Sequence, residues 1–421
     1  MKGIENKKWC AGMIIGFIFV IIGVGPIIFK MLEMKLITPY YFSIVLAGMV
    51  IIIVSLVRRN RINEIVNHKK INEEKILKKA PKIVVIGGGT GLSILLRGLK
   101  QFTTNLTAIV TVADDGGGSG VLREDLGMLP PGDIRNCILA LADTEPIMEK
   151  LLQYRFTEGM LKGQSFGNLL IAAMNGISTN FEETIKKIND VLAVTGKVLP
   201  VTLEDITLYA KLKNGDVIKG ESQIPLKTKE LKSEIEEVFI KPNNAKPPQE
   251  CIEAIYEADV IILGPGSLYT SIIPNLLVKD ITKAIKKSVA TKVYISNVMT
   301  QPGETDDYSV YEHVEAIIGH MKKGVIDYVF VNNEEIPSEI LEKYITDGAK
   351  PIQITEKDRK KLREQGISII EDSFVNIKKK YIRHDAYKLS QLLIKLVLEE
   401  KYSTDKTKIL DYYLLKDKFK C

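Results

Sequence analysis

Three glycine-rich turns hold most of the residues in this chain that could do chemistry. Gly87-Gly88-Gly89-Thr90-Gly91 and Gly264-Pro265-Gly266-Ser267 each follow a short apolar run and lead into helical spacing. Asp114-Asp115 stands directly before Gly116, Gly117 and Gly118. Glycines in such turns let backbone N–H groups approach an anion, and a helix N-terminus adds partial positive charge. Phosphate is the natural guest. The paired aspartates have three readings: bonding a ribose hydroxyl, holding Mg2+ together with ligand phosphates, or forming a turn before glycine. Arg135 suits a bidentate phosphate clamp and equally an ordinary ion pair. Ser165 and Asn168, in a polar turn, either cap the next helix or face a ligand.

Other chemistries find little support. Leu92 takes the place of the third glycine of G-x-G-x-x-G, which weakens a NAD-dependent oxidoreductase, and no G-x-x-x-x-G-K-[ST] is present. No nucleophile–base arrangement is legible. His313 and His320 lie two helical turns apart, about 10 Å, too far to share a metal. His384-Asp385 opens an amphipathic terminal helix, where an N-terminal cap is the simpler role. Cys10, Cys137, Cys251 and Cys421 show no C-x-x-C spacing and read as buried small apolar residues in a reducing setting.

The turns must be positioned by strands and helices. Ile83 to Ile86 is a β-branched run of the kind buried on both faces, and Leu92, Leu95, Leu96 and Leu99 follow at helical spacing. A second strand, Leu106 to Val112, ends in the acidic loop. Leu129 to Asn136 is a turn entering a helix through Ala142, with Asp133 as a candidate N-cap. Val260 to Leu263, Val293 to Ile295 and Tyr328 to Val331 resume the pattern, and Ile352 to Ile354 is a further candidate strand. This predicts an α/β, Rossmann-like, doubly wound and mostly parallel sheet, with ligands outside the carboxyl ends of its strands. Between 195 and 248 the chain predicts a small β insertion: antiparallel strands over Val198–Val201, Thr207–Leu212 and Val217–Gln223, then a charged, irregular stretch from Pro225 to Pro248. Asn214-Gly215 marks a hairpin there.

The net charge of +6 is unevenly placed: residues 1–80 hold 13 Lys and Arg against 5 Asp and Glu, leaving 45 against 47 in the rest. The large domain thus has no basic excess of the sort nucleic acid requires. Two uncharged stretches, 10–29 and 36–57, are each long enough for the hydrocarbon core of a bilayer. They predict an N-terminal transmembrane hairpin over 1–57, with a basic linker over 58–80 and a tail over 401–421. By the positive-inside rule the large domain, 81–400, would face the cytoplasm of a multi-pass membrane protein.

Six ordered blocks, GGGTG at 87–91, ADDGGGSG at 113–120, PPGDIRN at 130–136, SFGNLL at 165–170, GPGSLYTSIIPNLLV at 264–278 and NVMTQPGET at 297–305, resemble the CofD-like superfamily. They are most similar to its YvcK-type branch, the gluconeogenesis factors. At 118 the family pattern more often has a hydroxyl residue. The resemblance implies a regulator that binds UDP-sugars such as UDP-N-acetylglucosamine, linked to growth on gluconeogenic carbon, cell shape and cell-wall synthesis. It also implies an alternative, a Mg2+-dependent transferase of a 2-phospho-L-lactyl group. On the first reading Gly87 to Gly91 and Gly264 to Ser267 cradle a diphosphate, and Asn168, Asn297 and Thr300 face the uridine or sugar. On the second, Asp114 and Asp115 serve Mg2+. Expected partners are the small-molecule ligand, the membrane through the hairpin, the cell-wall synthesis machinery and a further copy of the chain.

Overall fold

The computed structural model describes residues 80–401 except 144–145, 322–323 and 379–380, together with 43–59 and positions 14, 15, 17–22, 24 and 28. The chain divides into two compact units, residues 77–413 and residues 1–76 with 414–421. In chain order the strands are β1 (Ile83–Gly87), β2 (Leu106–Val110), β3 (Lys197–Pro200), β4 (Thr207–Leu212), β5 (Val217–Lys219), β6 (Ile235–Lys241), β7 (Val260–Leu263), β8 (Thr291–Ile295), β9 (Tyr328–Asn332), β10 (Ser368–Asp372), β11 (Val375–Lys378) and β12 (Tyr381–His384).

Seven of them form one sheet in the order β10-β9-β8-β7-β1-β2-β3. Every pairing in it is parallel; Ile83 of β1, for instance, lies opposite Leu106 on one side and Val260 on the other. All five residues of β1 and all four of β7 are buried, as helices packed on both faces require. The chain leaves β1 in one direction to β2 and β3, then returns to the other side of β1 with β7 and winds away again. The switch point therefore lies between β1 and β7, the position at which open α/β sheets place their ligands. The helix Gly89–Leu99 carries the predicted stripe, with Leu92, Leu95, Leu96 and Leu99 all buried.

The insertion differs from expectation in two ways. The stretch read as an antiparallel strand at 198–201 is β3, parallel to β2 on the edge of the main sheet. Val198 and Leu199 are buried there among the helices, an environment that local alternation does not reveal. The stretch read as irregular contains a helix, Ile224–Leu231, and β6, which pairs with β4 from Thr207↔Lys241 to Leu212↔Ile235. Its glutamates face solvent while Ile235, Val238 and Ile240 point inward. The Asn214-Gly215 hairpin joins β4 to β5 as predicted. Residues 352–354 form no strand; Pro351 makes an isolated bridge to Met299, and β10 takes the edge position instead.

The transmembrane hairpin and the multi-pass location are corrected. Among the described residues no helix is long and apolar enough to cross a membrane. Residues 43–59 are helical and close on Arg58 and Arg59. That is about 25 Å of rise, short of the roughly 20 predominantly apolar residues a span needs. Much of the expected first span, residues 36–42 of the second, residues 60–79 of the linker and the tail after Lys401 lie outside the described residues.

Candidate functional site

The two glycine turns follow neighbouring strands and touch. A Cβ on Gly91 would stand 2.6 Å from the Pro265 carbonyl oxygen, and one on Gly266 would stand 3.2 Å from the oxygen of Gly88. Glycine is thus demanded here first by turn-against-turn packing. The Gly264–Pro265 peptide is cis. Asn275, fully buried, donates from Nδ2 to the carbonyls of Gly87 (3.1 Å) and Ser271 (2.7 Å), tying the end of β1 to the segment that follows β7. That segment begins as a wide π turn, Leu268–Ile272, a form that recurs at functional sites. Thr90 is exposed, and Gly89, Gly91, Gly266 and Ser267 are half-buried.

Carboxylates gather beside the first turn. Asp114 Oδ1 accepts the Gly116 N–H at 2.9 Å, an Asx-type turn, and Asp115 Oδ1 accepts the Ser222 N–H at 2.9 Å. Asp115 thereby pins the insertion to the acidic loop. Asp133 does not cap its own helix, Gly132–Leu141. Its carboxylate crosses to the first turn, accepts the Gly89 N–H, and lies where a Cβ on Gly88 would be 2.5 Å from Oδ2. Burial and the Asp114 charge push its pKa up to about 7, against the Gly89 bond and Arg135. Glu221 is pushed up to about 8 by burial and then by Asp114, Glu304, Asp133 and Asp115. Glu304 reaches about 7 through burial alone, even though Oε1 accepts from Thr270 Oγ1 (3.1 Å) and Gln301 Nε2 (2.5 Å); its Oε2 has no partner.

Arg135 answers this charge. Its Nη1 donates to Ser165 Oγ and, at 2.8 Å, to Asn168 Oδ1, and its Nη2 donates to Asn136 Oδ1 at 2.9 Å. Ser165 also caps the helix Phe166–Gly176 by accepting the Asn168 N–H at 3.2 Å. The cap foreseen for that turn is thus present, and the same hydroxyl also holds Arg135. Buried Nε of Arg135 has no partner.

Of the residues expected at a site, the structure brings together Gly87 to Gly91 with Gly264, Gly266 and Ser267, and places Asp114 in the charge field shared by Asp133 and Arg135. Asn168 is buried and holds Arg135 in place. Thr300 is buried and locked to Lys350, its N–H donating to the Lys350 carbonyl (2.7 Å) and its Oγ1 accepting the Lys350 N–H (2.8 Å). Asn297 is half-buried on the loop after β8. Sequence reasoning missed Asp133, Glu221 and Glu304. Asp133 and Glu304 stand inside quoted motifs, so the signal was present; Glu221 sits in the insertion, with no local signal.

Mg2+ can be tested against these donors. Among the described residues no group of three or more His, Cys, Asp or Glu side chains is disposed to hold a metal ion. Asp114 and Asp115 each have one oxygen accepting a backbone N–H and a second that is not so engaged. That suits a Mg2+ bound by one or two carboxylates and completed by ligand phosphates. At Gly118 the side-chain space is taken by Gln164: a Cβ there would stand 2.7 Å from Gln164 Oε1, which is buried without a partner.

Comparison with known proteins agrees with this architecture. The family model described as 2-phospho-L-lactate transferase CofD matches residues 83–375. A Bacillus subtilis protein named gluconeogenesis factor is 49% identical, covering 76% of this chain and 99% of its own length. A Clostridium acetobutylicum relative is 49% identical over 99% of this chain and 95% of its own length. A crystal structure of a UPF0052-family protein from Bacillus halodurans superimposes with a TM-score of 0.71 at 48% identity, covering 74% of this chain and 98% of that one. The chain belongs to the CofD-like family, in its gluconeogenesis-factor (UPF0052) branch.

Proposed function

We propose that the crevice between β1 and β7 binds a nucleoside-diphosphate sugar, with UDP-N-acetylglucosamine as the first ligand to test. The protein would act as a ligand-responsive regulator of growth on gluconeogenic carbon, of cell shape and of cell-wall synthesis, with the wall-synthesis machinery as its protein partner. The observation that carries the ligand class is the direct contact of two glycine turns at the switch point. A diphosphate has oxygens for both turns, and neighbouring helix N-termini favour anions. Arg135, held by Ser165 and Asn168, offers a fixed positive charge close by. The relatives' printed name supports the link to gluconeogenesis.

A second reading, a Mg2+-dependent transferase of the 2-phospho-L-lactate type, is favoured by the carboxylates beside the same crevice and by the family match. Asp114 and Asp115 would hold Mg2+, which would supply charge neutralisation at the transferred phosphoryl group. Asp133 would hold or release a proton next to Gly89, and Arg135 would orient the anionic substrate.

Calorimetric titration of the full chain tests the first reading. Saturable heat with UDP-N-acetylglucosamine, markedly weaker heat with UMP, and none with NAD+ are expected. No heat with UDP-sugars, or a preference for NAD+, rejects it. Turnover of a phospholactyl donor on a deazaflavin acceptor with Mg2+ would establish the second.

A further inference from the structure

We propose that Glu221 reads the hydroxyl groups of the ligand's sugar part, whether ribose or appended hexose. The inference rests on the nucleoside-diphosphate sugar reading above and adds a specificity-determining residue to it. Glu221 is carried by a short segment, Gly220 to Pro225, that leads from β5 into the helix Ile224–Leu231. This segment is fastened on two sides. The Ser222 N–H donates to Asp115 Oδ1 at 2.9 Å, and a Cβ on Gly220 would stand 2.5 Å from Asp115 Oδ2. At its other end, a Cβ on Gly303 would run into the Pro225 carbonyl oxygen. Asp115 stands on the loop after β2 and Gly303 on the loop after β8, and β1 and β7 lie between those two strands in the sheet. The insertion therefore joins loops from either side of the switch point, at the carboxyl ends of the strands where open α/β sheets hold ligands.

The Glu221 carboxyl is half-buried and feels the charges of Asp114, Glu304, Asp133 and Asp115. Those acids come from the loops after β2 and β8 and from the helix whose Asp133 touches the first glycine turn. The segment is held by the Ser222 backbone and by Pro225, not by Glu221. Among the described residues the Glu221 side chain has no hydrogen bond or ion pair. Glu304, only 4% exposed, also has capacity to spare: Oε1 accepts from Thr270 and Gln301, while Oε2 is buried with no partner. A polar atom withdrawn from water without a partner is costly, and a ligand that supplies a donor removes that cost.

The chemistry of these groups selects what they meet. Gathered carboxyls repel phosphate, so the diphosphate belongs with the glycine turns and Arg135, and an uncharged part of the ligand falls beside Glu221. Carboxyl oxygens accept from hydroxyls, and the two oxygens of one carboxyl match hydroxyls on neighbouring ring carbons. A sugar ring presents such hydroxyls in series.

Calorimetric titration of the full chain tests this with UDP-N-acetylglucosamine and with analogues lacking one hydroxyl, either the ribose 2′-hydroxyl or the 3- or 4-hydroxyl of the hexose. The parent should bind at least one analogue about tenfold more weakly, because deleting the hydroxyl leaves the acceptor unpaired. Glu221→Ala should bind the complete ligand about tenfold more weakly and no longer distinguish it from that analogue. A purely structural role would weaken all these ligands alike and keep the discrimination. Glu221→Gln, which retains an acceptor oxygen at the same reach, should restore the discrimination; if it is as indifferent as Glu221→Ala, the proposal is overturned. A parent indifferent to every deletion, or a Glu221→Ala chain with full affinity or full discrimination, also overturns it and leaves the diphosphate-sugar reading in place. No heat from the parent with the complete ligand removes both.

Discussion

The Asp133 carboxylate occupies the N-terminus of a helix that is not its own. It accepts the Gly89 N–H and presses so close that Gly88 has no room for a side chain. A phosphate drawn to the same turn meets a negative charge already installed there, and the protonation of Asp133 sets how strongly the two repel.

Binding and stability should therefore both follow pH. The Asp133 carboxyl rises from 3.8 to about 7 on folding, so between those values the folded chain holds a proton that the unfolded chain has lost. Linkage then makes stability fall as pH rises through that window, with the full cost present above about 7. Asp133→Asn keeps an acceptor for Gly89 and removes the charge. At about pH 8 its thermal midpoint should exceed the parent's, and near pH 4 the two should converge. A diphosphate ligand should bind more tightly to the parent as pH falls from about 8 to 6, and the variant should flatten that slope. Thermal scans and calorimetry across pH check both.

His384 drives the opposite dependence. Its ring lies 5.9 Å from Phe374 at an interplanar angle of 24°, with Nε2 3.2 Å from the Ser296 carbonyl. Burial pushes its pKa down to about 4, against that bond. Between about 4 and 6.5 the unfolded chain binds a proton that the folded chain refuses, so its contribution to stability is lost as pH falls through the window. The urea midpoint of the parent should drop between about pH 7 and 5, and His384→Gln should reduce that drop.

Gly91→Ala should be costly although Gly91 has no unusual backbone angle to protect. The new Cβ would stand 2.6 Å from the Pro265 oxygen and 3.0 Å from its carbonyl carbon, both backbone atoms that cannot swing aside. Over-packing of this kind costs about 1–3 kcal/mol. Gly89→Ala should cost about 1–2 kcal/mol for a different reason, since Gly89 has φ +69 and meets only Ser271 Oγ at 3.7 Å. Urea denaturation of both variants measures the costs. Ligand affinity should fall further in Gly91→Ala, where the two turns are forced apart.

Arg135→Lys should fail as a conservative change. One guanidinium serves Ser165, Asn168 and Asn136 through two nitrogens, a fork that an ammonium cannot reproduce. Leaving one of these buried oxygens without a donor costs about 1–3 kcal/mol. We expect a lower urea midpoint and at least tenfold weaker ligand binding, by denaturation and calorimetry.

Much of the α/β core was legible in the order of residues, because its strands are short runs buried on both faces. Ile83 to Ile86 and Val260 to Leu263 have no polar face to conceal, and each ends in glycines that only a turn explains. Leu92, Leu95, Leu96 and Leu99 declared a helix by spacing alone, and Ser165 announced a cap through its place before an apolar helix. These are local properties, set within a few residues by backbone geometry and hydrophobic period. The edge strand β3 and the strand β6 hidden in a charged stretch depend on what lies beside them. So do the carboxylates. Asp133, Glu221 and Glu304 are separated by more than eighty residues at each step, and nothing local marks Glu221 as belonging with the others. Burial raises all three acids and charges across space add to it for Asp133 and Glu221; both act through distance in three dimensions, which tertiary structure alone supplies.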